Sequence, residues 1–448
     1  MRNFLRRLFR LQPGEGTLVF ILGYLLFGNA LARQVSNIVA ISGFLNTGGV
    51  NQMLLVLGID YTLVLAIGGL QSLVIDRFNR IRLMAFVSIG FGLAFMLLRG
   101  LFAVGAPGWL NYSVMYLISE QQFVLFPVIF WILANDIYSF AQARRLFPLI
   151  ASWSFIGKLL GIGIAAATPA LFARWGIQNE EILVLNALIY LSACVLIVWG
   201  LRRVSLRKTV QQTETVAETL REGWDFLRGV DSFRYLMLAI LTLAVADTIV
   251  EFRFWVVTDA VFVGQGVYQN FYSLYRLAIS LASFGVQTFL TSRLLNNMQL
   301  KNAFLIFPLV ILLGVGGAIA SPAVYVVVSA MAAVKLVRET MDESARKNFQ
   351  SLVPEERRGR VSTFMDNYLP AVGTILACMV TGLIVFIGSQ MGRDLHPVYL
   401  AVALLSGGVA LWATLKMRAA YESSLLNWRL KRRQRTSDSV VMKLTDLE

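Results

Sequence analysis

Long apolar stretches separated by short polar loops repeat along the whole chain. Each stretch has about 20 residues, enough to cross ~30 Å of hydrocarbon as an α-helix. In the first half of the chain they lie near residues 17–41, 49–74, 83–104, 110–135, 147–172 and 182–201. In the second half they lie near residues 235–261, 268–291, 302–320, 322–349, 362–388 and 397–418. The pattern predicts an all-α polytopic membrane protein with about twelve transmembrane helices.

A polar segment divides these stretches into two groups. It covers residues 202–234, and Leu220, Trp224 and Leu227 are spaced to line one face of an amphipathic helix on the cytoplasmic surface. We therefore expect four regions along the chain. They are an N-terminal six-helix bundle over 1–201, the linker over 202–234, a C-terminal six-helix bundle over 235–418 and a basic cytoplasmic tail over 419–448.

The two predicted bundles are related in sequence. GLQSLVIDR at 69–77 aligns with GVQTFLTSR at 285–293, and the arginines before the Gly157 helix correspond to those before the Gly373 helix. Two parallel six-helix repeats are typical of major facilitator-type transporters, which hold substrate near the membrane midplane. The repeat predicts two pseudo-symmetric halves of this type.

Composition and charge narrow the class further. Apolar residues make up 57% of the chain and charged residues 15%, which excludes an ordinary soluble protein. The net charge of +14 is concentrated in alternate loops, for example at Arg144 and Arg145 and at Arg202 and Arg203. By the positive-inside rule both termini are cytoplasmic in the cell inner (plasma) membrane, and nucleic-acid binding is not expected. With 2 cysteines and 1 histidine, the sequence indicates no metal, disulfide framework or cofactor.

Ionisable residues inside the predicted spans are candidate functional groups, because charge in hydrocarbon is costly unless it faces a partner or a water-filled cavity. The candidates are Arg33, Asp60, Glu120, Lys158, Asp247, Glu251, Arg253, Arg276, Lys335, Arg338, Glu339 and Asp342. Helical spacing places the last four on one face. Arg33 and Glu251 occupy equivalent places in the repeat, so we expect them to pair and to exchange partners when substrate or a proton arrives. The alternative is a static structural ion pair.

The loop after the second span is similar to the major facilitator signature. Asp76, Arg77 and Arg80 resemble its acidic and basic residues, which latch helix ends in one access state, and Asn79 replaces the usual glycine. We predict a gating role for these three charged residues and for Arg144 and Arg145. A basic cytoplasmic turn that serves only topology is the alternative.

Several segments resemble the nucleotide (ADP/ATP) translocase family of plastids and intracellular bacteria. The matching positions are Glu120, Phe130, Trp131, Ala134, Asn135, Arg145, Phe147 and Gly157. IVEFRFW at 249–255 is similar to the segment with the family's second transport carboxylate, which falls on Glu251, and Lys335 and the run 353–366 resemble the bacterial relatives. Where the family has Arg-Asp-x-Lys-Asp in its first helix, this chain has Arg33, then Gln, Val, Ser and Asn. We expect Lys158 and Arg276 to supply the missing positive charge.

Together these features predict a secondary active transporter that works by alternating access and resembles NTP/NDP (ATP:ADP) antiporters. The predicted cargo is an anionic or zwitterionic metabolite, with a nucleotide favoured by the resemblance. Predicted substrate-binding residues are Arg33, Lys158, Arg276, Lys335 and Asn135. Predicted proton-coupling or ion-pair residues are Glu120, Asp247, Glu251, Glu339 and Asp342. The expected partners are a small molecule and the lipid bilayer, and the chain is expected to be a monomer.

Two other classes remain open from the sequence. One is a sensor or membrane anchor with the facilitator fold that binds ligand without transporting it. The other is an enzyme that acts on a lipid-linked substrate, although no paired catalytic motif is present and GKLL at 157–160 lacks the Ser/Thr and upstream glycine of a phosphate-binding loop. We therefore expect the protein not to be an enzyme.

Overall fold

The protein is described here by a computed structural model. The structure describes residues 12, 15–75, 78–202, 204, 221, 224, 228–291, 293, 298, 300–350, 352–353 and 355–445. The predicted gating residues Asp76 and Arg77 lie outside these residues, as do Leu220 and Leu227 of the predicted amphipathic linker. Within the described residues the chain is helical and contains no β-strand.

The first half of the chain forms six long helices in the order predicted. They are α1 (Glu15–Gly48), α2 (Met53–Ile75), α3 (Arg80–Ala103), α4 (Gly108–Ile137), α5 (Phe140–Trp175) and α6 (Ile182–Gly200). Local sequence sets their ends. Asn79 caps α3 by accepting from the backbone N–H groups of Ile81 and Arg82, and Ser139 with Gln142 forms a capping box at the start of α5.

The described residues of the second half form six long helices, three of which contain a π-helical segment, and one short helix over Leu300–Ala303. The regular ones are α7 (Asp231–Val261), α9 (Ile306–Ala320) and α12 (His396–Thr445). Helix α8 runs over Gln265–Val286 and continues as a π-helix over Gln287–Thr291. Helix α10 consists of Val324–Val337, the π-helix Arg338–Asp342 and Glu343–Gln350. Helix α11 consists of Glu355–Thr363, the π-helix Phe364–Tyr368 and Leu369–Met391.

Ten of these helices are long and apolar enough to cross a membrane. The other two predicted spans, α8 and α10, are also helical at the expected places. Their polar and charged residues, which include Arg276 in α8 and Lys335 in α10, explain why they do not stand out by hydropathy. The twelve-helix all-α prediction is confirmed, and the ends of most helices differ from the predicted limits by only a few residues.

The last helix is longer than predicted. Helix α12 continues for 50 residues to Thr445, through the segment 419–445 that the sequence indicated only as a basic tail. This segment contains no glycine or proline and is rich in Leu, Arg and Lys, which favour helix. The membrane-spanning part and its extension are therefore one continuous element.

The chain divides into two compact units. Unit 1 comprises Met1–Thr215 together with Trp255–Leu281, and unit 2 comprises Val216–Phe254 together with Ala282–Glu448. In unit 1, α1 packs along α4, α5 and α6, and α3 packs along α6. In unit 2, α9 packs against α10 and α12. The predicted division into bundles at 201 and 235 remains a prediction.

Glycines on α5 and α11 bring each helix close to the first helix of its own half. A Cβ atom on Gly161 would lie 2.6 Å from the Leu31 carbonyl oxygen of α1, and Gly157 is packed as tightly against Phe27. In unit 2, a Cβ atom on Gly373 would lie 2.6 Å from the Leu241 carbonyl oxygen of α7. The correspondence between Gly157 and Gly373 inferred from sequence therefore has the same packing role in both halves.

Candidate functional site

The centre of unit 1 holds an ion pair between α1 and α4. Arg33 Nη2 lies 3.4 Å from Glu120 Oε2, and both side chains are about one-fifth exposed, at 20% and 19%. The Arg33 guanidinium also lies 4.1 Å from the centroid of the Phe123 ring, a cation–π contact. Asn37 Nδ2 donates to Glu120 Oε1 at 2.7 Å. The carboxylate of Glu120 is therefore held by one cation and one amide.

Arg276 joins this cluster from α8, within unit 1. Its Nη2 donates to Gln34 Oε1 at 2.7 Å, and its Nη1 donates to Asn37 Oδ1 at 3.0 Å. Asn37 thus accepts from Arg276 and donates to Glu120, which links α8 to α4 through α1. Gln34 and Asn37 occupy positions where the translocase pattern has aspartates, and in this chain amides hold the arginine instead.

Asp60 of α2 lies beside the same cluster. Its side chain is buried, with the residue 3% exposed, and Gln121 Nε2 donates to Asp60 Oδ1 at 3.3 Å. The charged groups that act on it are Glu120 and Arg33. Asp60 is one of the intramembrane charges found in the sequence, and the structure brings it to the Arg33–Glu120 pair.

Buried amides and hydroxyls fix α1 in place around the cluster. Tyr190 Oη donates to Asn29 Oδ1 at 2.6 Å and accepts from Gln122 Nε2 at 2.7 Å. Ser36, at the position of the family's lysine, is fully buried and accepts from Asn186 Nδ2 at 2.7 Å. Hydrogen-bonded polar groups of this kind hold neighbouring helices in register where water is excluded. The serine therefore has a packing role here.

Unit 2 contains two ion pairs between α7 and α10. Lys335 Nζ lies 2.9 Å from Glu251 Oε1, and their side chains are 16% and 21% exposed. One turn towards the start of α7, Asp247 pairs with Arg338. Residue numbers rise along α10 as they fall along α7, so the two pairs form successive rungs between antiparallel helices.

The other charges of α10 have different partners. Ser283 Oγ donates to Glu339 Oε2 at 3.0 Å, and Arg346 Nε lies 3.0 Å from Asp342 Oδ2. Sequence spacing placed Lys335, Arg338, Glu339 and Asp342 on one α-helical face. The π-helix over Arg338–Asp342 has more residues per turn, so these side chains point to partners on α7, on α8 and within α10 itself.

The pairs in the two units are related by the repeat, with the signs of charge reversed. Helix α1 supplies the cation and α4 the carboxylate in unit 1, whereas α7 supplies the carboxylate and α10 the cation in unit 2. Arg33 and Glu251 each have a partner inside their own unit. Their predicted exchange of partners remains a prediction.

The predicted gating residues that the structure describes lie at the ends of helices in unit 1. Arg80 Nε lies 3.1 Å from Asp136 Oδ2, so this ion pair joins the start of α3 to the end of α4. Arg145 Nη2 lies 2.6 Å from Glu15 Oε1, which joins α5 to α1. Arg144 is exposed. Burial, and then the Glu15 carboxylate, raise the pKa of Tyr138 above its usual range, so its phenol stays protonated.

The other two predicted binding residues lie on α4 and α5. Asn135 is exposed near the end of α4, and Lys158 is half-buried on α5 beside Gly157. Conversely, sequence analysis gave no role to Gln34, Asn37, Asp136 or Glu15. The amides were visible only as departures from the Arg-Asp-x-Lys-Asp pattern, and the two carboxylates only as acids near helix ends.

Comparison with known proteins shows which family the chain belongs to. The sequence profile described as the TLC ATP/ADP transporter matches residues 77–340, more than half of the chain. The chain belongs to the TLC ATP/ADP transporter family. The resemblance inferred from its fourth, fifth and seventh helices is confirmed. A comparison with curated proteins gives no match.

Solved transporters share the fold of this TLC family member. A bacterial homologue of the iron transporter ferroportin, in an inward-facing state, matches with a TM-score of 0.61 and 15% identity over 90% of this chain and 100% of that one. A bacterial homologue of the human lysosomal transporter Spinster matches with a TM-score of 0.59 and 14% identity over 94% of this chain and 98% of that one. The nucleoside transporter NupG matches with a TM-score of 0.56 and 14% identity over 90% of this chain and 98% of that one.

The family and the fold together indicate a multi-pass membrane transporter with a major facilitator-like fold. The family also favours a small-molecule substrate.

Proposed function

We propose that the protein exchanges anionic metabolites, with nucleotides as the first candidates, across the inner membrane by alternating access. Arg33 and Lys335 are the substrate-binding cations, assisted by Arg276 and Lys158. Glu120 and Glu251 are the coupling carboxylates. Membership of the TLC ATP/ADP transporter family supports the choice of nucleotide.

The observation that carries this proposal is the pairing of each cation with a carboxylate inside its own unit. Arg33 is held by Glu120 at 3.4 Å and Lys335 by Glu251 at 2.9 Å. A phosphate or carboxylate group that reaches either cation competes with the resident side chain for it. Charge-assisted hydrogen bonds of this kind contribute about 1.5–3 kcal/mol each, so losing one weakens substrate capture roughly tenfold to a hundredfold.

The first test is counter-exchange in proteoliposomes. Vesicles preloaded with unlabelled ATP or ADP are given labelled nucleotide outside, and uptake is compared between the wild type and Arg33→Ala. We expect exchange by the wild type and a loss of about tenfold or more in the variant. Arg99→Ala is the matched control, because Arg99 also pairs with a glutamate, Glu181, at the outer ends of α3 and α6.

Glu251→Gln separates coupling from binding. Glutamine keeps the shape of the side chain but cannot ionise, so we expect it to abolish net driven uptake more than it weakens nucleotide binding. Equal loss of both would count against a coupling role. Nucleotide binding without flux in the wild type would instead favour the sensor alternative, and folded protein with neither would point to another solute.

A further inference from the structure

Asp60 is a buried carboxyl group whose surroundings give an ionised carboxylate little support. It lies within the membrane-spanning part of α2 and is 3% exposed. Its hydrogen bond in the described part of the chain comes from one neutral amide, Gln121 Nε2, at 3.3 Å. An ionised carboxylate in such a place costs several kcal/mol unless a cation or several donors compensate it.

The nearby cation is already engaged by a second carboxylate. Charged neighbours of Asp60 in the described part of the chain are Glu120 on α4 and Arg33 on α1, and both helices contact α2. Glu120 holds Arg33 at 3.4 Å and accepts a 2.7 Å hydrogen bond from Asn37. Two carboxylates that share one cation in a low-dielectric site are more stable with one proton between them.

The proton belongs on Asp60 for a geometric reason. Glu120 has both the guanidinium and the strong amide donor, which stabilise its ionised form. Asp60 is more deeply buried and has the longer amide contact. Arg276 acts on the cluster from the Glu120 side, through Asn37, and so adds to the same preference.

We propose that Asp60 is the proton-carrying residue of this transporter, which holds a proton on its carboxyl group while Glu120 is paired with Arg33. The proton comes from water on one side of the membrane and returns to water on the other. When a substrate anion takes Arg33 from Glu120, Glu120 loses its cation and accepts the proton of Asp60, and Asp60 takes a second proton from the water on that side. When the substrate leaves on the other side, Arg33 returns to Glu120, whose proton passes back to Asp60 as the extra proton is released to the water there. The loaded carrier thus holds one proton more than the empty carrier, so one proton moves with the anion. This proposal rests on the proposed function and identifies the coupling ion and its site.

The direct test is infrared spectroscopy of purified protein in lipid at neutral pH. The wild type minus Asp60→Asn difference spectrum is expected to contain the carbonyl stretch of a protonated carboxylic acid. Asp394→Asn is the matched control. Partial burial raises the pKa of Asp394, but hydrogen bonds from His396 outweigh it and hold this pKa below its usual value, so this outer-loop group is ionised. Its substitution should leave the protonated band unchanged, and a band that persists in Asp60→Asn would overturn the proposal.

The functional test compares two modes of transport by Asp60→Asn. Asparagine imitates the protonated carboxyl group, so counter-exchange should stay within about twofold of the wild type, whereas acceleration of uptake by a pH gradient should be lost. A retained gradient response, or equal loss of both modes, overturns the proposal. Asp60→Glu keeps a titratable group and should keep the gradient response, which provides a second variant if Asp60→Asn does not fold.

The infrared result does not depend on which solute is carried. If the wild type shows no nucleotide exchange, the proposed substrate fails while the protonated band still tests Asp60. If exchange is present and the band is absent, the substrate stands and the proton site fails.

Discussion

Arg33 lies between a carboxylate and an aromatic ring, and both restrict how far its guanidinium can move. Glu120 holds one edge of the guanidinium at 3.4 Å, and the Phe123 ring lies 4.1 Å from its centre. A substrate group therefore meets a cation whose position is already fixed, so little side-chain entropy is lost on binding. Arg276 is fixed in the same way by Gln34 and Asn37.

Close packing of α5 on α1 determines where this cluster lies, and one pair of glycines tests it. Gly161→Ala should destabilise the protein by about 1–3 kcal/mol, because the added methyl group would lie 2.6 Å from the Leu31 carbonyl oxygen. Gly163→Ala should be neutral or stabilising, since no atom lies within 4 Å of its Cβ position. Both variants gain the same helix propensity, so the difference between their thermal midpoints in detergent reports the contact alone. Equal midpoints would show that the two helices can separate without cost.

At the level of residues, the charges of the site could be predicted from the sequence and their partners could not. Arg33, Glu120, Glu251 and Lys335 stand out because ionisable groups are rare in apolar spans. The contact between Asn37 and Arg276 joins residues 239 positions apart in the chain, and neither helix contains a local pattern that indicates it. Asp60 and Arg338 were visible as charges, but only the fold shows which neighbours they have.

Between α7 and α10 the structure places two rungs of different kinds. The Lys335–Glu251 rung corresponds to Arg33–Glu120 in the other repeat. The residue one turn before Arg33 is Asn29, which serves a buried hydrogen-bond network, whereas the residue one turn before Glu251 is Asp247, which pairs with Arg338. The Asp247–Arg338 pair thus occupies the place that serves helix packing in the other repeat, and we expect it to hold α7 and α10 together.

Double neutralisation distinguishes the two rungs. Asp247→Asn with Arg338→Gln should melt close to the wild type and keep at least about half of the exchange activity, because no buried charge is left alone. Arg338→Gln by itself should melt lower, since Asp247 would keep its charge without that partner. Glu251→Gln with Lys335→Gln should stay folded but lose exchange by about tenfold or more. If both double variants lose exchange equally, the two rungs share one role.

Hydropathy located the helices well but could not show how α10 is wound. An α-helical repeat put its four charges on one face, because a sequence gives no sign of an extra residue in a turn. The π-helix over Arg338–Asp342 changes the direction of the side chains within it, and Glu339 meets Ser283 of α8. Element existence was therefore predictable, while side-chain direction within this element was not.

Across the whole molecule, the basic residues are concentrated in every second connection between the predicted helices. Arg144 lies near the start of α5 and Arg393 lies in the loop before α12, at places that the positive-inside rule assigns to opposite sides of the membrane. Both residues are exposed, so they form a matched pair for measuring topology.

Cysteine labelling tests that topology in intact cells. Cys194→Ala and Cys378→Ala remove the native thiols from α6 and α11. In that background, Arg393→Cys should react with a membrane-impermeant maleimide from outside, and Arg144→Cys should react only after the membrane is opened. The opposite pattern would place both termini outside the cell and would contradict the charge argument.

The internal pairing of charges has an electrical consequence. Moving one elementary charge through a membrane potential of 100 mV involves about 2.3 kcal/mol. Arg33 cancels Glu120 within unit 1, and Lys335 cancels Glu251 within unit 2. On the proposed cycle, these four groups let the empty carrier return without electrical work. The voltage across the membrane then acts through the charge of the cargo and its accompanying proton.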